Sequence, residues 1–257
     1  MKKTLFYCGL ILSFLFVLCS PLAAESTPIG DELFAEGLYE EAIAAYTLEL
    51  ETADDLGPIY NNLAAAYYQV GDVEQAINYF QLAADIAPDN GMPWLNLAMV
   101  YELAGDLDNA EASYLKATTS KEPILAVNGY LSAASILAQK EDPYGAVATL
   151  ETAFARIEGE TAPEFQEIRT QIYQSIGYIY ASIGENEAAF DAFAEATQTG
   201  TESPIPWIYL GAFLQEAGLY EQALLSYQEA IIRDVDSVTV AQEAYDFLYA
   251  ELEAESS

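Results

Sequence analysis

One set of residue classes returns every 34 positions, and this period constrains the fold more than any other feature of the chain. Trp94, Leu97, Ala98 and Tyr101 fall at spacings of three, one and three, so they share one face of a helix. Gly105 then ends that helix, since glycine takes the left-handed conformation without a Cβ penalty. Asp106 offers an oxygen to the free N–H groups of a second helix, whose stripe is Ala110, Tyr114 and Ala117. Moving back 34 residues gives Tyr60, Leu63, Ala64, Tyr67, Gly71, Ala76, Phe80, Ala83 and then Pro88. The same classes recur at Tyr173, Ile176, Gly177, Tyr180, Gly184, Ala189, Phe193 and Ala196, and again at Trp207, Leu210, Gly211, Leu214, Gly218, Ala223, Tyr227 and Ala230. A helix hairpin of this kind leaves one face bare, and only neighbours built like itself can cover it.

The set resembles the tetratricopeptide repeat, whose pattern is W-x2-L-G-x2-Y, then A-x3-F, then P, over 34 residues. Trp94-x2-Leu97-Ala98-x2-Tyr101 and Trp207-x2-Leu210-Gly211-x2-Leu214 carry its first half, and Ala76-x3-Phe80 with Pro88 carries its second. The resemblance implies an all-α solenoid, a right-handed superhelix of about six helix hairpins plus a C-terminal capping helix. It is the form expected of an exported bacterial member of the family.

The export reading rests on the first residues. Two lysines precede an apolar run from Leu5 to Cys19, and Leu22-Ala23-Ala24 supplies small residues at a cut site, the form of a secretory signal peptide. The run is about fifteen residues, short of the roughly twenty that span a membrane. Cleavage after Ala24 is expected, leaving 25–257 as one solenoid domain, exported and periplasmic or secreted, with no direct membrane insertion. Two alternatives stay open: a lipoprotein signal with Cys19 lipidated, against which Leu18 is bulky before the cysteine, and an uncleaved anchor. Cys8 and Cys19 both lie in this segment, so cleavage at Ala24 leaves neither thiol nor disulfide.

The repeats are expected at about 25–56, 57–90, 91–124, 127–169, 170–203 and 204–237, with a capping helix at 238–253. The first is degenerate: its second helix has Ala42 and Tyr46, while Pro28 starts a short first helix near Ile29 with Leu33 and Phe34 as its apolar residues. Asp72 and Gln75 fit a capping box. Two residues are inserted after the third repeat, and in the fourth Asp142-Pro143 replaces the glycine turn as N-cap and first helical residue. Nine extra residues precede the fifth. Glu158-Gly159-Glu160-Thr161 reads as a loop, and Thr161 with Glu164 is expected to box a long helix running to about Ile183, with Phe165, Ile168, Ile172, Ile176 and Ile179 on its stripe. That helix is expected to project from one rim, its extra turns packing on the inserted loop or on a partner. Ser203-Pro204 opens the sixth repeat as N-cap and N1. The final helix turns Ala241, Ala244, Tyr245 and Leu248 inward and Gln242, Glu243, Asp246 and Glu251 outward, as a solvating cap does.

Charge and composition narrow the function. Removing Lys2 and Lys3 from the eight basic residues leaves six against 41 acidic ones. Nucleic acid and anionic lipid are excluded as expected partners, because such binding rests on cations that neutralise phosphate. The acidic surface reads as a solvated exterior or as a match for a cationic partner. There is no histidine, and the cleaved form has no cysteine, which removes zinc, haem and Cys/His nucleophile sites. Neither a G-x-G-x-x-G nor a P-loop lysine occurs. Asp106-Leu-Asp108-Asn109 and Asp234-Val-Asp236-Ser237 lack the spaced ligands and closing glutamate of a calcium loop. No cofactor and no metal is expected, and the chain reads as non-enzymatic.

By the same resemblance, the function is that of an envelope scaffold binding a protein or peptide in a concave groove. Its residues are Asn61, Ala65 and Tyr68, then Leu95, Met99 and Glu102, then Leu131, Ser135 and Ala138, then Gln174, Tyr178 and Ala181, then Ile208, Ala212 and Gln215. None is Lys or Arg, so the carboxylate clamp of some family members is not expected, and Asn61 stands as a remnant of it. Small and apolar residues between Tyr68 and Tyr178 suit an extended or helical apolar segment. The alternatives are a lipid-anchored envelope-assembly scaffold held by Cys19 and a carboxylate-dependent hydrolase.

Overall fold

A computed structural model describes residues 28–200, 202–233 and 240–255. The signal segment with Cys8 and Cys19, and the Asp234–Ser237 sequence, lie outside the described residues. Thirteen helices and no strand are found among the described residues. They divide, between Glu141 and Asp142, into two compact units.

Unit 1 holds α1 (Ile29–Ala35), α2 (Tyr39–Glu49), α3 (Gly57–Gln69), α4 (Val73–Ile86), α5 (Gly91–Leu103), α6 (Leu107–Ala117) and α7 (Pro123–Gln139). The turn at Gly105 has φ 80°, and Asp106 Oδ1 accepts the Asn109 N–H at 3.2 Å, so the left-handed residue and the cap sit where the residue types required them. Gly37 and Gly71 repeat the conformation, and Asp72 accepts from the Gln75 N–H at 3.1 Å. α1 begins at Ile29, and Leu33 and Phe34 pack on a small core of Ala42, Tyr46, Leu63 and Ala66. The main core of the unit gathers Phe80, Trp94, Leu97, Tyr114 and Ile136.

The first and second helix of a hairpin meet through a fixed pairing of small against large, sixteen residues apart. Ala64 faces Phe80 and Ala98 faces Tyr114 in the same core. Gly30 stands against Tyr46 in the same register, a glycine that the period did not single out because the first repeat is degenerate. A Cβ at Gly30 would run into the Tyr46 ring, so that hairpin is closed more tightly than the Ala64 and Ala98 ones, which accommodate a methyl group.

Unit 2 holds α8 (Pro143–Arg156), α9 (Pro163–Ser182), α10 (Asn186–Thr197), α11 (Ile205–Glu216), α12 (Tyr220–Arg233) and α13 (Val240–Glu255). Its core gathers Phe193, Leu210, Leu214, Tyr227 and Leu248. The pairing continues: a Cβ at Gly177 would lie 2.9 Å from the Phe193 ring, and one at Gly211 2.7 Å from Tyr227. α13 buries Ala241 and Leu248, packs Ala244 and Tyr245 against the core and exposes Glu243, Asp246 and Glu251, while Gln242, expected on the outer face, is half-buried.

Four local expectations need correction or refinement. Thr161 does not cap α9. Ala162 occupies the cap position without a side-chain hydrogen bond, at φ −63° and ψ 148°. The residue before a proline is pushed out of the helical region, so Pro163 moves the start to itself and leaves Thr161 too far back. The two residues inserted after the third repeat lengthen α7 to 17 residues, with Leu125, Ala126 and Val127 buried. Asp142 does cap α8, accepting the Gly145 N–H at 3.0 Å, but the left-handed turn residue is retained before it and is Glu141, at φ 64°. At α11, Ser203 Oγ accepts the Ile205 N–H at 3.3 Å while Pro204 is already helical at φ −71°, ψ −18°.

α9 spans 20 residues. Its additional first turns are tied to the preceding loop: Arg169 donates to the carbonyls of Ile157, at 2.9 Å, and Glu160, at 2.6 Å, and Phe165 is buried. The inserted loop is thus a packing partner of these turns.

Candidate functional site

The first-helix row of unit 1 is half-buried in most places and bound into side-chain networks. Asn61 is the clearest case. Its Oδ1 accepts from Asn96 Nδ2 at 2.9 Å and its Nδ2 donates to Asn62 Oδ1 at 3.3 Å. Asn62 in turn donates to Asp31 Oδ1 at 3.0 Å, and that oxygen also accepts the Tyr46 hydroxyl at 2.7 Å. A polar ladder therefore joins α5, α3, α1 and α2, with Asn61 as one of its rungs. Ala65 and Tyr68 pack beside the main core, and Leu95 is part of that core at 8% exposure. Met99, Glu102, Leu131, Ser135 and Ala138 are half-buried. Glu102 accepts the Tyr114 hydroxyl at 2.8 Å and faces Gln139 Nε2 at 3.5 Å.

In unit 2 the row is formed by α9 and α11. Gln174 is 9% exposed, and its Nε2 has no hydrogen-bond partner among the described residues. Tyr178, one turn on, stands edge-on to Phe193 at 5.2 Å and to Tyr209 at 5.3 Å. Burial, then Tyr209 and Glu216, pushes the Tyr178 hydroxyl pKa up. Ala181, Ile208 and Gln215 are half-buried and Ala212 is exposed. Gln215 accepts the Tyr227 hydroxyl at 2.8 Å, which repeats the Tyr114–Glu102 bond of unit 1 at the same spacing of twelve residues. Burial, with Glu216 second, pushes Tyr227 up to about 12. The sequence reasoning missed this second-helix tyrosine reaching the last groove position. Its signal was present, since a tyrosine rather than phenylalanine at 114 and 227 coincides with an acceptor at 102 and 215.

The cations are engaged within the protein. Lys116 lies over the Trp94 ring at 4.1 Å and Arg233 over Trp207 at 4.7 Å. Lys121 meets Asp89 at 2.6 Å, and Lys140 meets Asp108 and Glu111 at 2.6 and 2.8 Å. No group of three or more metal-ligating side chains occurs among the described residues, and no described helix is long and apolar enough to cross a membrane.

Tetratricopeptide-repeat family models match residues 58–90, which cover α3 and α4, and 170–199, which cover most of α9 with α10. The chain carries tetratricopeptide repeats. The solved structures agree with that fold. The C-terminal part of a TPR repeat-containing protein from Cytophaga hutchinsonii is similar at a TM-score of 0.58 and 16% identity, over 79% of this chain and 77% of that one. BtubC from P. vanneervenii is similar at 0.52 and 22% identity, over 66% and 76%. The APC/C hetero-tetramer Cut9–Hcn1 is similar at 0.52 and 16% identity over 86% of this chain, which spans 41% of that one. No curated protein matches the chain. The Est1 DNA/RNA binding domain model also matches residues 76–129, from α4 into α7 of the repeat array.

Proposed function

We propose that this tetratricopeptide-repeat protein is a non-enzymatic scaffold of the bacterial envelope, exported by cleavage after Ala24, that binds a partner protein or peptide on its first-helix rows. The observation that carries the reading is the composition of those rows. The rows around Met99, Leu131, Ile208 and Ala212 keep solvent access, carry no Lys or Arg, and mix apolar with polar side chains. Such a surface offers anchoring pockets and hydrogen bonds without reactive groups.

The test places a photo-crosslinking residue at Met99, Ala212 or, as a control, Glu243 in the full chain expressed in its own cells. Adducts with one partner from 99 and 212 and none from 243 are expected. Equal adducts from 243 overturn the groove reading. Intact mass of the same protein separates a chain beginning at Glu25 from one lipidated at Cys19.

The match to the Est1 DNA/RNA binding domain favours a second reading, binding of nucleic acid by α4–α7. Charge argues against it: residues 76–129 hold Asp85, Asp89, Glu102, Asp106, Asp108, Glu111 and Glu122 against Lys116 and Lys121, and both lysines are already engaged. Labelled single-stranded DNA and RNA are expected not to bind at low salt, and salt-sensitive binding would revive that reading.

A further inference from the structure

The α9–α11 face of unit 2 holds two features that packing leaves unexplained. The first is the Gln174 amide. Nine-tenths buried, its Nε2 lacks an acceptor, and a buried donor without one is unfavourable unless something else supplies it. The second is an aromatic and anionic stripe one turn further along. On α11, Tyr209, Ala212 and Glu216 follow at spacings of three and four and so share a face. Tyr209 meets the Tyr178 ring at an interplanar angle of 78°, giving two walls nearly at right angles. Ala212 between Tyr209 and Glu216 is exposed and small, which leaves room above it. The Glu216 charge is felt at both Tyr178 and Tyr227. Neighbouring cations do not neutralise this stripe: α11 has none, and the Arg169 of α9 is bound to the Ile157 and Glu160 carbonyls.

We infer that this face seats an extended peptide segment bearing a lysine or arginine, with the cationic side chain against Tyr178, Tyr209 and Glu216, and with the Gln174 amide turning outward so that its Nε2 donates to a backbone carbonyl of the segment. Aromatic faces beside a carboxylate attract a cation through the ring quadrupole and through charge. The whole chain favours such an occupant, at a formal net charge of −33. The spacing also fits: Gln174 and Tyr178 are one helical turn apart, about 6 Å, close to the two-residue repeat of an extended chain. The inference rests on the protein-binding reading and names the chemistry of the bound segment.

Fluorescence anisotropy of labelled deca-lysine, with a Gly/Ser decapeptide and deca-glutamate as comparisons, tests it on the full chain. Saturable binding of deca-lysine alone is expected, weakened at least about fivefold by Glu216→Gln and by Gln174→Met. The exposed control Glu243→Gln is expected to change nothing. Helicity measured by circular dichroism confirms that each variant is folded. Equal losses from the control mean diffuse charge attraction and overturn the site, as does absence of deca-lysine binding. Mass spectrometry of the adducts formed at Ala212 separates this inference from the reading beneath it. A crosslinked segment without Lys or Arg defeats the cationic assignment and leaves the protein-binding reading standing, whereas no adduct at 99 or 212 defeats both.

Discussion

Gly177 shows how a single residue type can set the distance between two helices. Its missing Cβ is the space filled by the Phe193 ring, so Gly177→Ala is expected to destabilise the protein by about 1–3 kcal/mol through overpacking. The damage should be partly reversed in Gly177→Ala/Phe193→Leu, whose smaller partner side chain gives the added methyl group room. Thermal unfolding of the three variants checks this, and a double variant no better than the single one would break the pairing rule. Glu141 carries the opposite lesson. It holds a left-handed backbone where other turns have glycine, a conformation that a Cβ disfavours by about 1–2 kcal/mol. Glu141→Gly should therefore stabilise unit 1 by a good part of that, read from the denaturation midpoint. Tyr227 supplies the pH dependence. Its folded pKa is about 12 against an ordinary value near 10, so the unfolded chain loses its proton first. Its contribution is fully present below pH 10 and is lost between about pH 10 and 12, at about 1.4 kcal/mol per pH unit. Tyr227→Phe should flatten that part of the stability profile while costing the hydrogen bond to Gln215 at every pH.

At the level of the helix, the ends and lengths follow different rules from the stripes. Asp106 and Asp142 cap because the turn residue before each is left-handed and aims the next N–H groups at their carboxylates. Asp106→Ala is expected to lower stability by about 1 kcal/mol, and the loss should appear in unfolding followed at Trp94, which packs in the same core. Pairing of helices, turn glycines and caps were legible in the sequence because each depends on neighbours within one repeat. The start of α9 was misread at Thr161 because a proline two residues on overrules a cap signal. The length of α7 was hidden because Leu125, Ala126 and Val127 continue a helix as readily as they could fill a loop. Where each row side chain goes was less legible still. Asn61 in a ladder to Asn96 and Asp31, and Glu102 and Gln215 under tyrosine hydroxyls, depend on how neighbouring helices cross. Periodicity alone does not contain that.

Across the whole molecule the repeat makes stability a matter of neighbours, since each hairpin buries its stripe only against the next. Trp94→Ala is expected to destabilise the protein by about 3–5 kcal/mol, because the ring sits in the largest core of unit 1. Each unit also carries one tryptophan beneath a cation, Trp94 under Lys116 and Trp207 under Arg233. The chain has two tryptophans in all, so it comes with a separate optical gauge in each half. Emission from Trp207→Phe follows the first half alone, and emission from Trp94→Phe follows the second. Adding Phe193→Ala to each should shift the denaturant midpoint seen at Trp207 more than the one seen at Trp94. The two signals then register whether a disturbance in one unit is felt in the other without any attached dye.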